Sequence, residues 1–218
     1  MVNQSKEDSS KELLKDRIIK TATKAFAENG IKGVTMDEIA ALLGISKRTL
    51  YEVFADKEAL LRECLLYLKD ERDRYSQQAF ENSNDVLEVI LMVFKKSLQT
   101  IHSTNRRFFL DLKRYPRVYE IMKNNRQIDS EQAISFFKLG VEQGLFRSDI
   151  NFKIATLLVR EQFELLLNTD ICKDYPFVEV YESIMFTYLR GIATEFGAKR
   201  LEAFLVDYRE GKLDDIKE

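Results

Sequence analysis

Residues 35–54 constrain the fold of this chain most, because they contain the start and stop signals of two short helices in succession. Thr35, with Glu38 three positions later, forms the capping box that begins a helix. Gly44 follows the apolar residues of this helix and is the residue type best suited to a left-handed helix end. Ser46 can then cap a second helix. The segment therefore predicts two helices joined by a tight turn.

The second of these helices has an apolar face and a polar face. At about 100° per residue, Leu50, Val53 and Phe54 fall on one side. They would pack on an apolar stripe of the first helix, which consists of Ile39, Ala40, Leu42 and Leu43. Arg48, Tyr51 and Glu52 fall on the opposite side, with Lys47 and Thr49 on the flanks. Lysine, arginine, threonine and tyrosine bind phosphates or base edges, so this face fits the DNA major groove, although a plain solvated face would show the same residues.

Short motifs at fixed spacing extend this pattern over residues 17–65. They are Ala22, Ala25 and Phe26; Asn29-Gly30; Gly33-Val34-Thr35; Ile39-Ala40; Gly44-Ile45-Ser46; Thr49-Leu50-Tyr51 with Phe54; and Asp56-Lys57-Glu58 with Leu60. In these motifs the segment resembles the DNA-binding domain of the TetR/AcrR family of transcriptional regulators. The resemblance favours sequence-specific binding of double-stranded DNA over the solvated-face interpretation.

The resemblance also implies which residues contact DNA. In family members these are the threonine that begins the first helix, the capping serine, residues of the second helix and the lysine after the aromatic residue. At the matching positions this chain has Thr35, Ser46, Lys47, Arg48, Thr49, Tyr51 and Lys57. Arg48 departs from the family, which often has a small residue there, so the operator sequence cannot be taken from a relative.

The composition favours an all-α chain. Among 218 residues there are only two prolines and eight glycines, and hydrophobic residues make up 45%. Periodicity predicts further helices at about 57–80, 84–102, 105–113, 117–143, 150–168 and 177–196. The predicted organisation is a flexible arm at 1–11, a three-helix helix-turn-helix domain at 12–72 and a helical ligand-binding and dimerisation domain at 73–218.

Two of the later helices are too apolar for a surface position. Residues 152–167 are apolar almost all round, and residues 177–196 carry a broad apolar stripe. We expect this pair to meet its twofold mate in a four-helix interface of a homodimer, as in the family; the alternative is a monomer with a large core. The predicted interface residues are Leu158, Phe163, Tyr181, Met185, Tyr188 and Ile192.

An aromatic-rich segment in the C-terminal part predicts a pocket for a small apolar or amphipathic effector. The candidate ligand-binding residues are Phe94, His102, Phe109, Tyr115, Tyr119, Phe137 and Phe163. The competing interpretation is that these aromatic side chains are ordinary core.

Several classes of function are excluded by what the sequence lacks. One histidine, His102, rules out a multi-histidine metal site, and we find no catalytic constellation, nucleotide-binding loop or cofactor motif. Cys64 and Cys172 are expected to be free, buried thiols in a reducing cytoplasm. No apolar run approaches the roughly 20 residues that span a membrane. The net charge of −2 argues against unspecific coating of DNA.

These features predict a cytoplasmic, sequence-specific DNA-binding transcriptional regulator. The most favoured form is a ligand-released repressor that binds a palindromic operator as a homodimer, because two recognition helices about one DNA turn apart read a palindrome. The alternative is a DNA-scaffolded nucleoid or division factor that controls no promoter.

Overall fold

The computed structural model describes residues 2–118, 130–168 and 171–210, with the side chains of 2–8, 130, 132, 164–168 and 172 left out. The described helices are α1 (Val2–Asn29), α2 (Met36–Leu43), α3 (Lys47–Val53), α4 (Lys57–Asn82), α5 (Val86–Ser103), α6 (Arg106–Leu112), α7 (Ser130–Glu142), α8 (Phe152–Asn168), α9 (Ile171–Asp174), α10 (Phe177–Ile192) and α11 (Glu195–Arg209). Within those residues no strand forms beyond one isolated bridge between Phe146 and Ala193, so the predicted all-α class is confirmed.

The chain divides into two compact units. The first unit comprises Met1–Ser76 with Gln99–Arg126, and the second comprises Gln77–Leu98 with Gln127–Glu218. The first unit therefore contains α6, which the sequence-based boundary at residue 72 had assigned to the C-terminal domain. Two long helices, α4 and α5, each contribute residues to both units.

The core of the first unit joins α1, α2, α3, the first half of α4, and α6. Its most deeply buried side chains include Phe26, Ile39, Leu50 and Leu61. Leu42 is 65% exposed, so it does not belong to the apolar stripe that the sequence assigned to α2. In a helix of only eight residues the buried face is narrow, and Met36, Ile39 and Ala40 fill it.

Helix α1 begins at Val2, so the backbone is helical through the residues for which the sequence predicted a flexible arm. Residues 2–11 contain no glycine or proline that would stop a helix. The apolar periodicity used for the prediction starts later in the chain and gave no sign of this extension.

Hydrogen bonds connect helix α6 and its N-cap, Asn105, to the end of α1 and the loop that follows it. The backbone N–H of Asn105 donates to the Ala27 carbonyl at 2.7 Å, and its side-chain amide donates to the Glu28 carbonyl at 3.0 Å. The Lys32 N–H donates to the Asp111 carboxylate at 2.7 Å. Gly30 has φ 78°, and a Cβ there would lie 2.8 Å from Cβ of Arg107, so the two segments are in close contact.

The second unit packs α5, α7, α8, α10 and α11 around aromatic side chains. The Phe94 ring stacks on Tyr181 with centroids 5.7 Å apart and meets Phe186 edge-on at 4.9 Å. The Phe137 ring stacks on Phe152 at 5.4 Å. Most of the broad apolar stripe of α10 is therefore covered by the chain's own side chains.

The helix predicted at 177–196 ends earlier, and a separate helix, α11, begins at Glu195. The sequence analysis did not predict α11. Helix α10 ends at Ile192, Ala193 is extended, and Thr194 caps α11 by accepting from the Gly197 N–H at 3.0 Å. The Thr194 N–H also donates to the Leu145 carbonyl at 3.0 Å. A threonine followed by glutamate was a readable cap signal, but the continuous apolar periodicity concealed it.

Along the described stretches of the chain, we find no helix that combines the length and apolar character needed to cross a membrane.

Candidate nucleic-acid interface

The start of α2 is fixed by the predicted capping box. The Glu38 N–H donates to the Thr35 hydroxyl at 3.2 Å, and the Glu38 carboxylate accepts from the Thr35 N–H at 2.6 Å and from its hydroxyl at 2.9 Å. The hydrogen bond from the Thr35 backbone, followed by that from its hydroxyl, lowers the pKa of Glu38 below its ordinary value. The charged carboxylate thus holds the first turn of α2 in place.

The turn between α2 and α3 follows from Gly44. This residue has φ 66°, and the N–H groups of Gly44 and Ile45 donate to the carbonyls of Ala41 and Ala40 at 3.1 and 3.0 Å. Ser46 then caps α3 by accepting from the Thr49 N–H at 3.0 Å. These bonds close the end of one helix and open the next within two residues, which sets the angle of α3.

Helix α3 presents the predicted two faces. Leu50 and Phe54 are buried in the core of the first unit. On the other side Tyr51 is 49% exposed, and the Arg48 side chain is 89% exposed. Lys47 is exposed too. The side chains that could reach a DNA groove are therefore held outward by the burial of their neighbours one turn away.

Both cations of α3 have acidic partners that the sequence analysis did not predict. The Lys47 ammonium pairs with Asp37 of α2, and Arg48 Nε donates to Glu52 Oε1 at 2.9 Å. The second pair has i,i+4 spacing and could have been read from the sequence. The first depends on the angle between α2 and α3, which spacing alone does not give.

Lys57, the first residue of α4, differs from the other predicted contact residues. It is only partly exposed, and its ammonium lies 5.7 Å from the centroid of the Phe26 ring. Burial lowers the pKa of Lys57, and the smaller effects of Asp111 and Glu38 oppose this change. Its position at a helix start beside α3 is unchanged from the prediction.

Cys64 is a free thiol in the core of the first unit. Burial raises its pKa to about 12, against the smaller effect of a hydrogen bond with Thr23. A thiol in this state is a poor nucleophile, so Cys64 is a packing residue. The side chain of Cys172 lies outside the described residues.

The predicted effector residues are divided between the two units. His102 is exposed in the first unit, where Phe109 and Tyr115 pack against the core. Phe94, Phe137 and Phe163 belong to the second unit. Phe94 is fully buried, and the Phe163 ring lies 5.1 Å from Tyr181. Tyr119 lies outside the described residues.

Two buried hydroxyls in the second unit were not predicted as ligand-binding residues, although Tyr188 was predicted to lie in the dimer interface. Thr156 Oγ1 and the Tyr188 hydroxyl oxygen are both buried, and neither has a hydrogen-bond partner within the part of the chain that the structure describes. Burial raises the pKa of Tyr188 to about 12. Hydrophobic periodicity gives no signal for such a pair.

The predicted dimer residues differ in their exposure. Leu158 is 58% exposed, whereas Tyr181, Met185 and Tyr188 are partly buried against the chain's own core. Ile192 is 4% exposed within that core, so it is not available to a partner. The sequence assigned four residues of the α10 stripe to the interface, but the chain's own core covers part of this stripe. Exposed apolar residues that the sequence analysis missed lie on α8, at Ile154 and Leu157.

Among the described residues, acidic, cysteine and histidine side chains nowhere form a group suited to a metal ion.

Comparison with known proteins agrees with this geometry. The model of the family described as bacterial regulatory proteins, tetR family, matches residues 18–64. The HTH-type transcriptional repressor KstR2 of Mycobacterium tuberculosis is 26% identical over 150 residues, which are 66% of this chain and 74% of KstR2. The negative transcriptional regulator IcaR of Staphylococcus aureus is 26% identical over 112 residues, covering 51% of this chain and 54% of IcaR.

Solved structures share the fold. A TetR-family transcriptional regulator from Marinobacter aquaeolei has a TM-score of 0.68 and 19% identity, with 89% of this chain and 98% of that chain covered. Residues 18–64, which the family model matches, contain the capping box, the glycine turn and the outward face of α3. The matched relatives are named as transcriptional regulators. Residues 18–64 therefore carry the N-terminal domain of the family described as bacterial regulatory proteins, tetR family, and the chain is similar to transcriptional regulators over a larger part of its length.

Proposed function

We propose that this protein is a repressor that binds a palindromic operator as a homodimer and is released by a small-molecule effector. The observation that carries the proposal is the exposed polar face of α3, set by the buried residues Leu50 and Phe54 and by the Gly44 turn. The proposal is also supported by the similarity to proteins named as repressors.

In this proposal α3 enters the major groove and the residues around it hold the DNA backbone. Thr35, Ser46 and Lys57 lie at helix starts, where hydroxyl, backbone N–H and ammonium groups bind phosphates. On α3 itself, Lys47 and Tyr51 are assigned to phosphates, while Arg48 and Thr49 are assigned to base edges. The proposed contact residues are therefore the seven that the sequence indicated: Thr35, Ser46, Lys47, Arg48, Thr49, Tyr51 and Lys57.

The first test is selection of bound fragments from genomic DNA by the purified protein, followed by binding to the best site against competitor DNA. Lys47→Ala is expected to weaken binding to all sequences and to lower the slope of log affinity against log salt by about one per chain. The matched control is Lys199→Ala on α11, which removes a lysine from another exposed ion pair. Enrichment of no site, with only weak salt-sensitive binding, would favour the DNA-scaffold alternative.

The proposed dimer surface lies on α8. Ile154, Leu157 and Leu158 are exposed at helical spacing, so they form an apolar stripe that the described residues leave uncovered. Exposed apolar stripes of this kind mark interaction sites. A twofold axis passing through this stripe would bring the α8 helices of two protomers into contact. The dimer would then present two α3 helices, as a palindromic operator requires.

We expect Leu158→Arg to convert the dimer to a monomer and to lower operator affinity, because two charges would meet near the axis. Sedimentation equilibrium measures the change in mass, and titration of the operator measures the loss of affinity. The control is Leu110→Arg, because Leu110 is an exposed leucine of the first unit. If the Leu158 variant kept the mass of a dimer, the interface would lie elsewhere.

The effector would bind in the second unit and act through α5. Thr156 and Tyr188 offer buried hydroxyls for the polar part of a ligand, among aromatic rings suited to its apolar part. Helix α5 carries Phe94 in that unit, and the chain then continues to Asn105, which binds the end of α1. Effector and DNA would then favour different arrangements of the two α3 helices of the dimer. Each would weaken binding of the other, with a typical coupling free energy of about 1–3 kcal/mol. An effector that saturates the protein and leaves operator affinity unchanged would contradict release.

A further inference from the structure

The two cations of α3 are held in different ways. The Lys47 ammonium is paired with Asp37, a residue of the supporting helix α2. The Arg48 guanidinium is paired with Glu52, a residue one turn further along α3 itself. A lysine ammonium is a point charge without a preferred plane, whereas a guanidinium is a planar fork whose donors have fixed directions. Only the second pair can therefore determine which donors face outward.

The Arg48–Glu52 pair uses only the Nε nitrogen of the Arg48 guanidinium. Its Nε donates to Glu52 Oε1 at 2.9 Å. Within the described part of the chain, no other hydrogen bond involves this guanidinium. The two terminal amino groups therefore remain available as a pair of parallel donors. Such a pair matches the O6 and N7 acceptors that guanine presents in the major groove.

We propose that Glu52 is a positioning residue, which holds Arg48 so that its terminal amino groups read one guanine in each half of the operator. This inference rests on the proposed function, in which α3 enters the major groove. Glu52 itself need not touch DNA. Its role is to reduce the number of orientations that Arg48 explores before binding, which is the usual way a neighbouring group increases specificity.

Because the Arg48–Glu52 pair is exposed, an effect of Glu52 on DNA binding can be distinguished from an effect on the stability of the fold. The Arg48 side chain is 89% exposed and that of Glu52 is 61% exposed. Exposed i,i+4 ion pairs contribute little to the stability of a folded protein. Loss of Glu52 should therefore leave the melting temperature unchanged, and any effect on DNA reading can be assigned to the interface.

Two other roles for Glu52 give different results. If Glu52 only repels phosphates, its removal raises affinity for every sequence by the same factor and leaves base preferences unchanged. If Glu52 itself accepts a hydrogen bond from a cytosine amino group, its removal changes preference at a position different from the one that Arg48 reads. Base preference, measured position by position, therefore distinguishes the three roles.

The experiment measures the affinity of the full chain for its selected operator and for every single-base variant of that operator. The proteins compared are the parent, Arg48→Ala, Glu52→Ala, Glu52→Gln and the double variant Arg48→Ala/Glu52→Ala. The control is Glu71→Ala, which removes the same side chain from another exposed ion pair. Glu71 lies 14 residues beyond Lys57 on α4, which corresponds to about 21 Å along the helix axis.

We expect Arg48→Ala to abolish a preference for guanine of about tenfold or more at one position of each half-site. Glu52→Ala should reduce the preference severalfold at the same position, and Glu52→Gln should do so less, because an amide oxygen can still accept from Nε. The double variant should match Arg48→Ala. Glu71→Ala should leave all preferences unchanged.

A uniform gain of affinity in Glu52→Ala, or a changed preference at another position, would overturn the inference while sequence-specific binding stands. An Arg48→Ala protein that keeps every base preference would overturn it as well. Failure of the proposed function is a separate result, because the parent protein would then enrich no sequence at all.

Discussion

Replacing Gly197 with alanine is expected to destabilise the second unit by about 3 kcal/mol or more, because no space exists for the added methyl group. A Cβ at this position would overlap the carbonyl oxygen of Leu145. That carbonyl also accepts from the N–H of Thr194, the residue that caps α11, so it cannot move without breaking this hydrogen bond. Relief requires a shift of backbone, which costs more than rotation of a side chain.

The matched control is Gly191→Ala, because among the described residues a Cβ at Gly191 would meet no side chain or other packed segment within 4 Å. Gly191 lies within α10. Alanine should stabilise that helix by about 0.5 kcal/mol, since glycine loses more backbone freedom on folding. Thermal unfolding of both variants measures the contrast, and a melting temperature of Gly197→Ala near that of the parent would show that α11 does not dock on Leu145 as described.

Replacing Leu50 with alanine is expected to lower the stability of the first unit by about 2–5 kcal/mol and to reduce operator affinity with it. Leu50 is fully buried between α3 and the core, so its removal leaves a cavity under the helix that carries Arg48 and Tyr51. Urea unfolding and operator titration of the same preparation measure the two effects.

The control is Leu42→Ala, the same substitution on the neighbouring helix. Leu42 is 65% exposed, so its truncation should change the free energy of unfolding by less than about 0.5 kcal/mol. Equal effects of the two substitutions would contradict the orientation of α2 and α3 given above. A Leu50 variant of normal stability would contradict it also.

The sequence predicted α2, the turn and α3 well because their signals are local. The capping box joins Thr35 to Glu38, and the turn depends on the conformational freedom of Gly44. The outward face of α3 follows from helical periodicity alone. Each of these features is decided within a few residues, so neighbouring sequence is sufficient to find it.

Features set by contacts between distant segments could not be found in this way. The pairing of Lys47 with Asp37 depends on the angle between two helices. Ile192 is buried in a core that distant segments of the chain form together, although the sequence assigned it to a partner. The docking of Asn105 on Glu28 joins residues 77 positions apart. A hydrophobic pattern shows that a face is covered but does not show which element covers it.

The membership of α6 in the first unit also limits how such a protein can diversify by exchange of parts. A recombination event that joined residues 1–76 to a foreign effector domain would leave behind Phe108, Leu112 and Val118, which complete the core around Phe26. Residues 1–76 would expose that core to solvent unless the foreign domain supplied equivalent side chains. Under the proposed function, which places the effector in the second unit, effector specificity should therefore change by substitution within that unit rather than by shuffling at the end of α4.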